Sequence, residues 1–464
     1  MKTYKNTVRI ILAILLLPAF GQLAAQDPIL QRYITEALES NEGLKQAKLD
    51  YATNLSALKE AKGLFFPEIS IDARYTVADG GRIISFPIGD LLNPVYSTLN
   101  LLTMTDQFPE VENEEFPFFR PREQETKLRL VQPLFKSDLY HNVKIRQQGA
   151  EIARINIEQY QQELIREVKK AYYGYLKAQQ LYSLTDTAIS LVRENLRVSK
   201  SLYKNDKVTM DVVYRSEAEL SKVEVQQAQS RNLLEASKAY FNFLLNRDLS
   251  TPIETAELTL PSLAVASTMP ENGSLAEATQ MALSSRQELK QLKAYQELNS
   301  RQTALYRGSG MPGLFGVVDY GIQGEDYSFT EDDDFVMASL VFQWTLFKGR
   351  TNHQKVQRSQ IEGDKIQSMY KQTEQQISLE VINRYYALQA ALEAERSARA
   401  QLNSARRAYT LVQRKYQEGQ ASLLELIDAR TGLTSASSDV IIARTDYYIG
   451  LADLEYATGQ SLIK

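Results

Sequence analysis

Two carboxylates lie three residues apart in RKYQEGQASLLELIDARTGL (414–433): Glu425 and Asp428. Residues at that spacing project from one face of a helix. Around them the stretch breaks and restarts a helical pattern: Tyr416 precedes Gly419, and Ser422-Leu423-Leu424-Glu425 reads as a capping box. Glu425 therefore has two readings, as the box acid or as a charge offered to a partner. Asp428 caps nothing and is either a solvated helix residue or a functional carboxylate. Acid–base or metal chemistry at this pair finds no companions. The chain has no cysteine and two histidines, and no P-loop, GxGxxG or GxSxG is present. The sequence predicts neither an enzyme nor a bound cofactor or metal.

A second stretch, SLYKNDKVTMDVVYRSEAEL (201–220), superposes on the first with Tyr203 over Tyr416, Asp206 over Gly419 and Thr209 over Ser422. Thr209 is expected to cap the returning helix. Asp211 suits the positive helix end, and Val212 stands where the other copy has Glu425. The whole chain repeats in this manner. At an offset of 213, Val168 matches Val381, Tyr172-Tyr173 matches Tyr385-Tyr386, and Arg193 matches Arg406. Nearer each start the offset is 245, where Leu44-Lys45 matches Leu289-Lys290, Gly63 matches Gly308 and Pro67 matches Pro312.

The elements that carry the two breaks are long. All 13 prolines lie at or before Pro312, and none falls between Pro133 and Pro252. In the first proline-free block Leu164, Val168, Tyr172 and Tyr175 form a narrow apolar stripe. A helix from about Ser137 to Tyr203 would run roughly 100 Å, which suits a helical tube better than a globule. Strands precede each long helix. In ISIDARYTV (69–77) the residues Ile69, Ile71, Ala73, Tyr75 and Val77 share a face; in FVMASLVFQWTL (335–346) Val336, Ala338, Leu340, Phe342, Trp344 and Leu346 do so. Segments 126–135 and 314–323 alternate less cleanly, with Lys127 and Arg129 opposite Leu128 and Leu130. Nine or ten alternating residues fit a transmembrane strand, with Trp344 at the membrane interface. A soluble half-buried sheet is the alternative. Four strands are too few to close a barrel, so two or three chains would have to share one.

The N-terminus predicts export. Lys2, Lys5 and Arg9 precede the apolar run Ile10–Phe20, followed by Ala24 and Ala25, so 1–25 reads as a signal peptide. Its loss leaves an acidic chain, for which a nucleic-acid partner is not expected. The expected division is a first repeat at 26–247, a connecting belt at 248–273 and a second repeat at 274–464. The inter-strand connection is long in the first repeat (78–124) and short in the second (324–334). The long one has an apolar centre (Ile88, Leu91, Leu92, Val95, Tyr96) and an acidic tail; it reads as a packed surface loop or as a partial lid. His141 and His353 match at an offset of 212 behind strand-to-helix joins, and read as structural residues.

The joins AKGLFFPEIS (61–70), YRGSGMPGLFG (306–316), VQPLFKSDL (131–139) and FQWTLFKGR (342–350), in order and twice over, resemble the TolC-type outer-membrane efflux proteins, as does RKYQEGQASLLELIDA (414–429). The resemblance covers nearly the whole mature chain. It implies a mainly α fold with a transmembrane β-barrel portion: a homotrimer with a twelve-stranded barrel, embedded in outer-membrane lipid and continued by an α-helical periplasmic tunnel. It implies a passive conduit for drugs, other small molecules or proteins, working with an inner-membrane pump and a periplasmic adaptor. Tyr416, Glu425 and Asp428, with Asp211, would then lie at the tip constriction. Three copies of each carboxylate would attract cations and repel anions. Ala421 stands where the family carries a basic residue. The competing reading is a secreted periplasmic coiled-coil adaptor without a barrel.

Overall fold

A computed structural model of the chain describes residues 28–256, 275–327 and 333–459. The expected signal segment, most of the 248–273 connection and residues 328–332 of the short loop lie outside the described residues. Two compact units share the two repeats: one draws on the described residues within 1–54, 149–297 and 364–464, the other on those within 55–148 and 298–363.

The first unit is helical. It holds α1 (Pro28–Ser40), the start of α2 (Glu42–Gly63), α5 (Met210–Leu244), α6 (Leu275–Ser285), the start of α7 (Gln287–Gly308) and α9 (Leu423–Thr458). It also holds most of α4 (Ser137–Lys204) and α8 (Thr351–Gln417). Its core repeats as the sequence does. Ala37, Leu44, Leu164, Val168 and Leu244 cluster in the first repeat; Ala282, Leu289, Ile377, Val381 and Ala457 cluster at the matching positions in the second. The first cluster is larger because Tyr33, Tyr172 and Phe241 join it. Tyr33 and Phe241 meet edge to face with centroids 5.0 Å apart. Of the 248–273 belt, the described start packs here: the main-chain N–H of Glu254 donates to the Tyr33 hydroxyl at 2.8 Å.

Helix ends repeat as well. α5 ends in a left-handed Asn246 (φ 53°) and α9 in a left-handed Gly459 (φ 68°), 213 residues apart. Their last carbonyls, which no intrahelical donor can reach, are taken by the last residues of α1 and α6 and the residues that follow them. Ser40 Oγ donates to Leu245 O (2.7 Å) and Asn41 Nδ2 to Leu244 O (2.9 Å). In the second repeat Ser285 Oγ donates to Thr458 O (2.8 Å), and Arg286 Nη1 reaches Tyr456 O and Ala457 O (3.4 Å each).

The second unit carries a four-stranded antiparallel sheet in the order β1 (Glu68–Val77), β4 (Arg122–Phe135), β5 (Gly313–Gly324), β6 (Asp334–Gln343). β4 starts earlier than the expected segment, and the connection before it is not a bare loop. It holds a hairpin of β2 (Ile83–Phe86) and β3 (Glu114–Pro117) around α3 (Ile88–Thr103). The apolar centre is this helix. Asn93 and Asn100, two turns apart, each clasp the returning chain through both amide atoms: Asn93 with the main chain of Val111 (2.8 and 3.0 Å), Asn100 with that of Phe108 (2.8 and 3.1 Å). Among the described residues no helix is long and apolar enough to cross a membrane.

Candidate functional site

The two helix-to-helix turns are built alike. After α4 the main-chain N–H of Lys207 donates to Leu202 O and that of Asp206 to Tyr203 O, both at 3.0 Å. After α8 the N–H of Gln420 donates to Lys415 O (2.7 Å) and that of Gly419 to Tyr416 O (3.0 Å). Each is the paired bond of a Schellman stop, which needs a left-handed residue. Gly419 supplies it at φ 74°, and Asp206 adopts φ 54° despite its side chain. The tyrosines thus occupy the same place in the last turn of each long helix. Tyr416 is half-buried, and burial pushes its phenol up from the ordinary range.

The helix starts beyond the turns differ. Ser422 Oγ accepts from the Glu425 N–H (3.3 Å), and Glu425 Oε2 accepts from the Ser422 N–H (2.6 Å), a complete capping box. Those bonds from Ser422, main chain first and hydroxyl second, hold the Glu425 carboxyl below the usual range, and the Lys415 charge adds to this. Thr209 departs from expectation. It has the extended backbone of a cap, but its hydroxyl makes no cap bond and donates to the Asp211 carboxylate instead. A carboxylate is the stronger acceptor for a hydroxyl than a peptide N–H is a donor to it. Asp211 also faces Arg215 at 3.7 Å on the exposed surface.

Glu425 and Asp428 are both exposed, while Leu426 and Arg430 between and beyond them are buried. Arg430 was not singled out from the sequence. Its Nη2 donates to Glu219 of α5 at 2.7 Å, joining α9 to the other helical hairpin, and its Nη1 is buried with no hydrogen-bond partner among the described residues. The signal was available: Leu426, Arg430 and Leu433 fall on one helix face, and a charge on an apolar stripe needs an ion partner.

The sheet has two unlike faces. Ile69, Leu130, Val318 and Ala338 stand side by side across all four strands, and so do Ile71, Leu128, Tyr320 and Val336. On β6 this face is bare: Val336, Leu340 and Phe342 are 63–72 % exposed. Trp344, one residue past β6, is exposed and donates its indole N–H to Gly310 O at 3.1 Å. The other face carries ion pairs across β1, β4 and β5, while β6 places Met337, Ser339 and Val341 there. Arg129 grips Asp319 with two bonds of 2.8 Å, and Glu125 takes Arg74 (3.1 Å) and Lys127 (2.5 Å). Asp319 meets Arg129 through the register of β4 on β5, which no local signal in the sequence gives. Among the described residues, both outer strands, β1 and β6, have an unpaired edge.

Among the described residues no cluster of side chains is suited to a metal ion. His141 and His353 stand early in α4 and α8, and the Nδ1 of His141 is buried with no hydrogen-bond partner among the described residues.

Residues 278–460 match the family model described as outer membrane efflux protein. The outer membrane protein TolC of Escherichia coli (strain K12) is 20% identical over 455 residues, spanning 96% of this chain and 84% of that protein. Among solved structures, the CmeC outer membrane channel of Campylobacter jejuni has a TM-score of 0.73 at 15% identity, covering 93% of this chain and 86% of its own. The outer membrane channel MtrE of Neisseria gonorrhoeae, solved in an open state, has a TM-score of 0.71 at 17% identity, covering 93% and 89%.

Proposed function

We propose that this chain, a homologue of the TolC-family outer-membrane efflux channels, is the outer-membrane channel and periplasmic tunnel of a tripartite efflux system. The sheet carries the reading. A largely exposed apolar face spanning four strands, backed by ion pairs across three of them, suits lipid on one side and water on the other. Its two open edges cannot stay in lipid unpaired. Three copies would close them into twelve strands, with the long helices forming the tunnel wall. A periplasmic adaptor without a barrel has no use for that aliphatic face.

In this reading the channel is passive and lies in the outer membrane, reaching into the periplasm. An adaptor joins its tip, an inner-membrane pump supplies the energy, and the cargo is drugs or other small molecules. Tyr416, Glu425 and Asp428 line the constriction, where three-fold symmetry makes rings of the exposed carboxylates. Glu425 is already spoken for by Ser422, so Asp428 is the freer of the two to act on passing ions. Trp344 marks the membrane interface. The test is outer-membrane fractionation with heat-modifiable migration, followed by planar-bilayer recording. An oligomer in the outer-membrane fraction that forms discrete channels is expected; a soluble periplasmic monomer would overturn the reading.

A further inference from the structure

The chain between β1 and β4 leaves the sheet at the end away from the long helices. β1 begins just after α2 and β4 runs into α4, so Val77 and its partner Arg122 mark the opposite end. The two-stranded ribbon does not stop there. The Ala78 N–H donates to Pro121 O at 3.1 Å and the Phe118 N–H to Arg82 O at 2.8 Å, and the ladder resumes as β2 on β3. This ribbon carries α3. Beside the crossing point stand Arg82, Arg120 and Arg122, all exposed and in no ion pair among the described residues. The Arg82 guanidinium lies over the ring of Phe118.

α3 and its returning chain separate polar from apolar. Asn93 and Asn100 share one side of the helix and hold the main chain at Val111 and Phe108. That clasped chain carries Asp106, Glu110 and Glu112, all exposed and in no ion pair among the described residues. At 3.6 residues per turn, Leu91, Val95 and Leu102 fall on the side opposite the two asparagines. They are 70, 51 and 74 % exposed. The helix itself holds a single charge, Asp90. Its polar side is therefore supplied by the chain it clasps, and its aliphatic side is bare.

We infer that α3 docks on the outer leaflet of the membrane that holds the sheet, with Leu91, Val95 and Leu102 in the acyl boundary and the clasped acidic chain turned to water. The inference rests on the outer-membrane reading above and adds an interfacial contact beyond the barrel. The ribbon makes the new surface continuous with β1, whose Ile69, Ile71 and Val77 belong to the apolar sheet face. Phe118 and Phe119 are exposed between the two, where interfacial aromatic rings anchor a membrane protein. The three arginines at the same level suit headgroup phosphates. An interfacial helix buries its apolar side by about 5–10 Å, which is enough to cover these aliphatic side chains. A lid across an aqueous mouth would leave the same side in water, an apolar patch with nothing to cover it.

The chain has no cysteine, so single bimane labels can be placed on the full-length protein in vesicles of phosphatidylcholine and phosphatidylglycerol. Val95→Cys and Leu102→Cys report on α3, Glu112→Cys on the clasped chain and Leu340→Cys on the apolar sheet face. Lipids with brominated acyl chains should quench the labels at 95, 102 and 340 and spare the one at 112. Iodide on both sides of the vesicle should quench the label at 112 alone. Labels at 95 and 102 that iodide reaches as it reaches 112, with 340 in lipid, overturn the docking and leave the channel standing. Labels at 95 and 102 that neither quencher reaches place a second copy on this face and overturn it too. A label at 340 open to iodide sinks both readings. Val95→Asp with Leu102→Asp, read from Leu91→Cys, should abolish acyl-chain quenching at 91 in a chain that circular dichroism shows to be folded. Quenching that persists there would show that the aliphatic side does not hold α3 to the membrane.

Discussion

Glu425 and Asp428 share a face but not an environment. Glu425 is held ionised by its bonds from Ser422, so its contribution to the cap is present above the ordinary glutamate range and is lost as pH falls through its lowered pKa. Hydrogen exchange at the start of α9 should therefore accelerate on acidification in the native chain, and Glu425→Gln should flatten that response. Asp428 makes no such bond to its helix start. Asp428→Ala should lower cation preference, shifting the reversal potential in a salt gradient toward zero. An unchanged reversal potential would remove Asp428 from the constriction. Asp206 makes a different point: it holds a left-handed turn that its counterpart leaves to Gly419, and aspartate is among the few residues that tolerate this at modest cost.

At the scale of the element, the two repeats solve the same helix-end problem with different side chains. Asn41 uses one amide for two tasks. Its Nδ2 caps the end of α5 at Leu244 O, and its Oδ1 accepts from the Leu44 N–H at the start of α2 (3.0 Å). Arg286 replaces it in the second repeat, balanced by Glu288 (2.7 Å) and Glu380 (3.0 Å) and lying against the Tyr456 ring. Asn41→Ala removes a helix cap and strands a buried carbonyl. We expect a loss of about 2–4 kcal/mol, read as a lower midpoint in denaturation followed by helical circular dichroism. A change within a few tenths would show that water takes over both bonds. The long inter-strand connection is likewise an element and not a slack loop, since Asn93 and Asn100 pin α3 to the chain that returns from it.

For the whole molecule, the outer edges of β1 and β6, unpaired among the described residues, are what the proposed trimer would close. For the proposed channel, the α3 subdomain has two readings that a deletion separates. If it is a packed outer ornament, deleting 85–118 leaves single-channel conductance and gating as they were. A rise in conductance would make it a lid over the mouth. Its internal hydrogen bonds favour the first outcome.

The sequence by itself determined the repeat, the long helices, the four strands and the two helix-to-helix turns. Each of these is written in a local signal: an offset, a 3.6- or two-residue period, a glycine or a cap. It also placed Ser422 and Glu425 in their box, because a capping box is closed within four residues. What it left undecided depends on residues far apart in the chain. Thr209 has the right backbone for a cap, and only the placed side chains show its hydroxyl turned to Asp211. Arg129 and Asp319 lie 190 residues apart and meet through the register of β4 on β5. The ionic seam of α4 with α9 became visible only when the helices were packed, because a lysine at 177 and an aspartate at 446 look like solvated charges until tertiary structure puts them 3.1 Å apart.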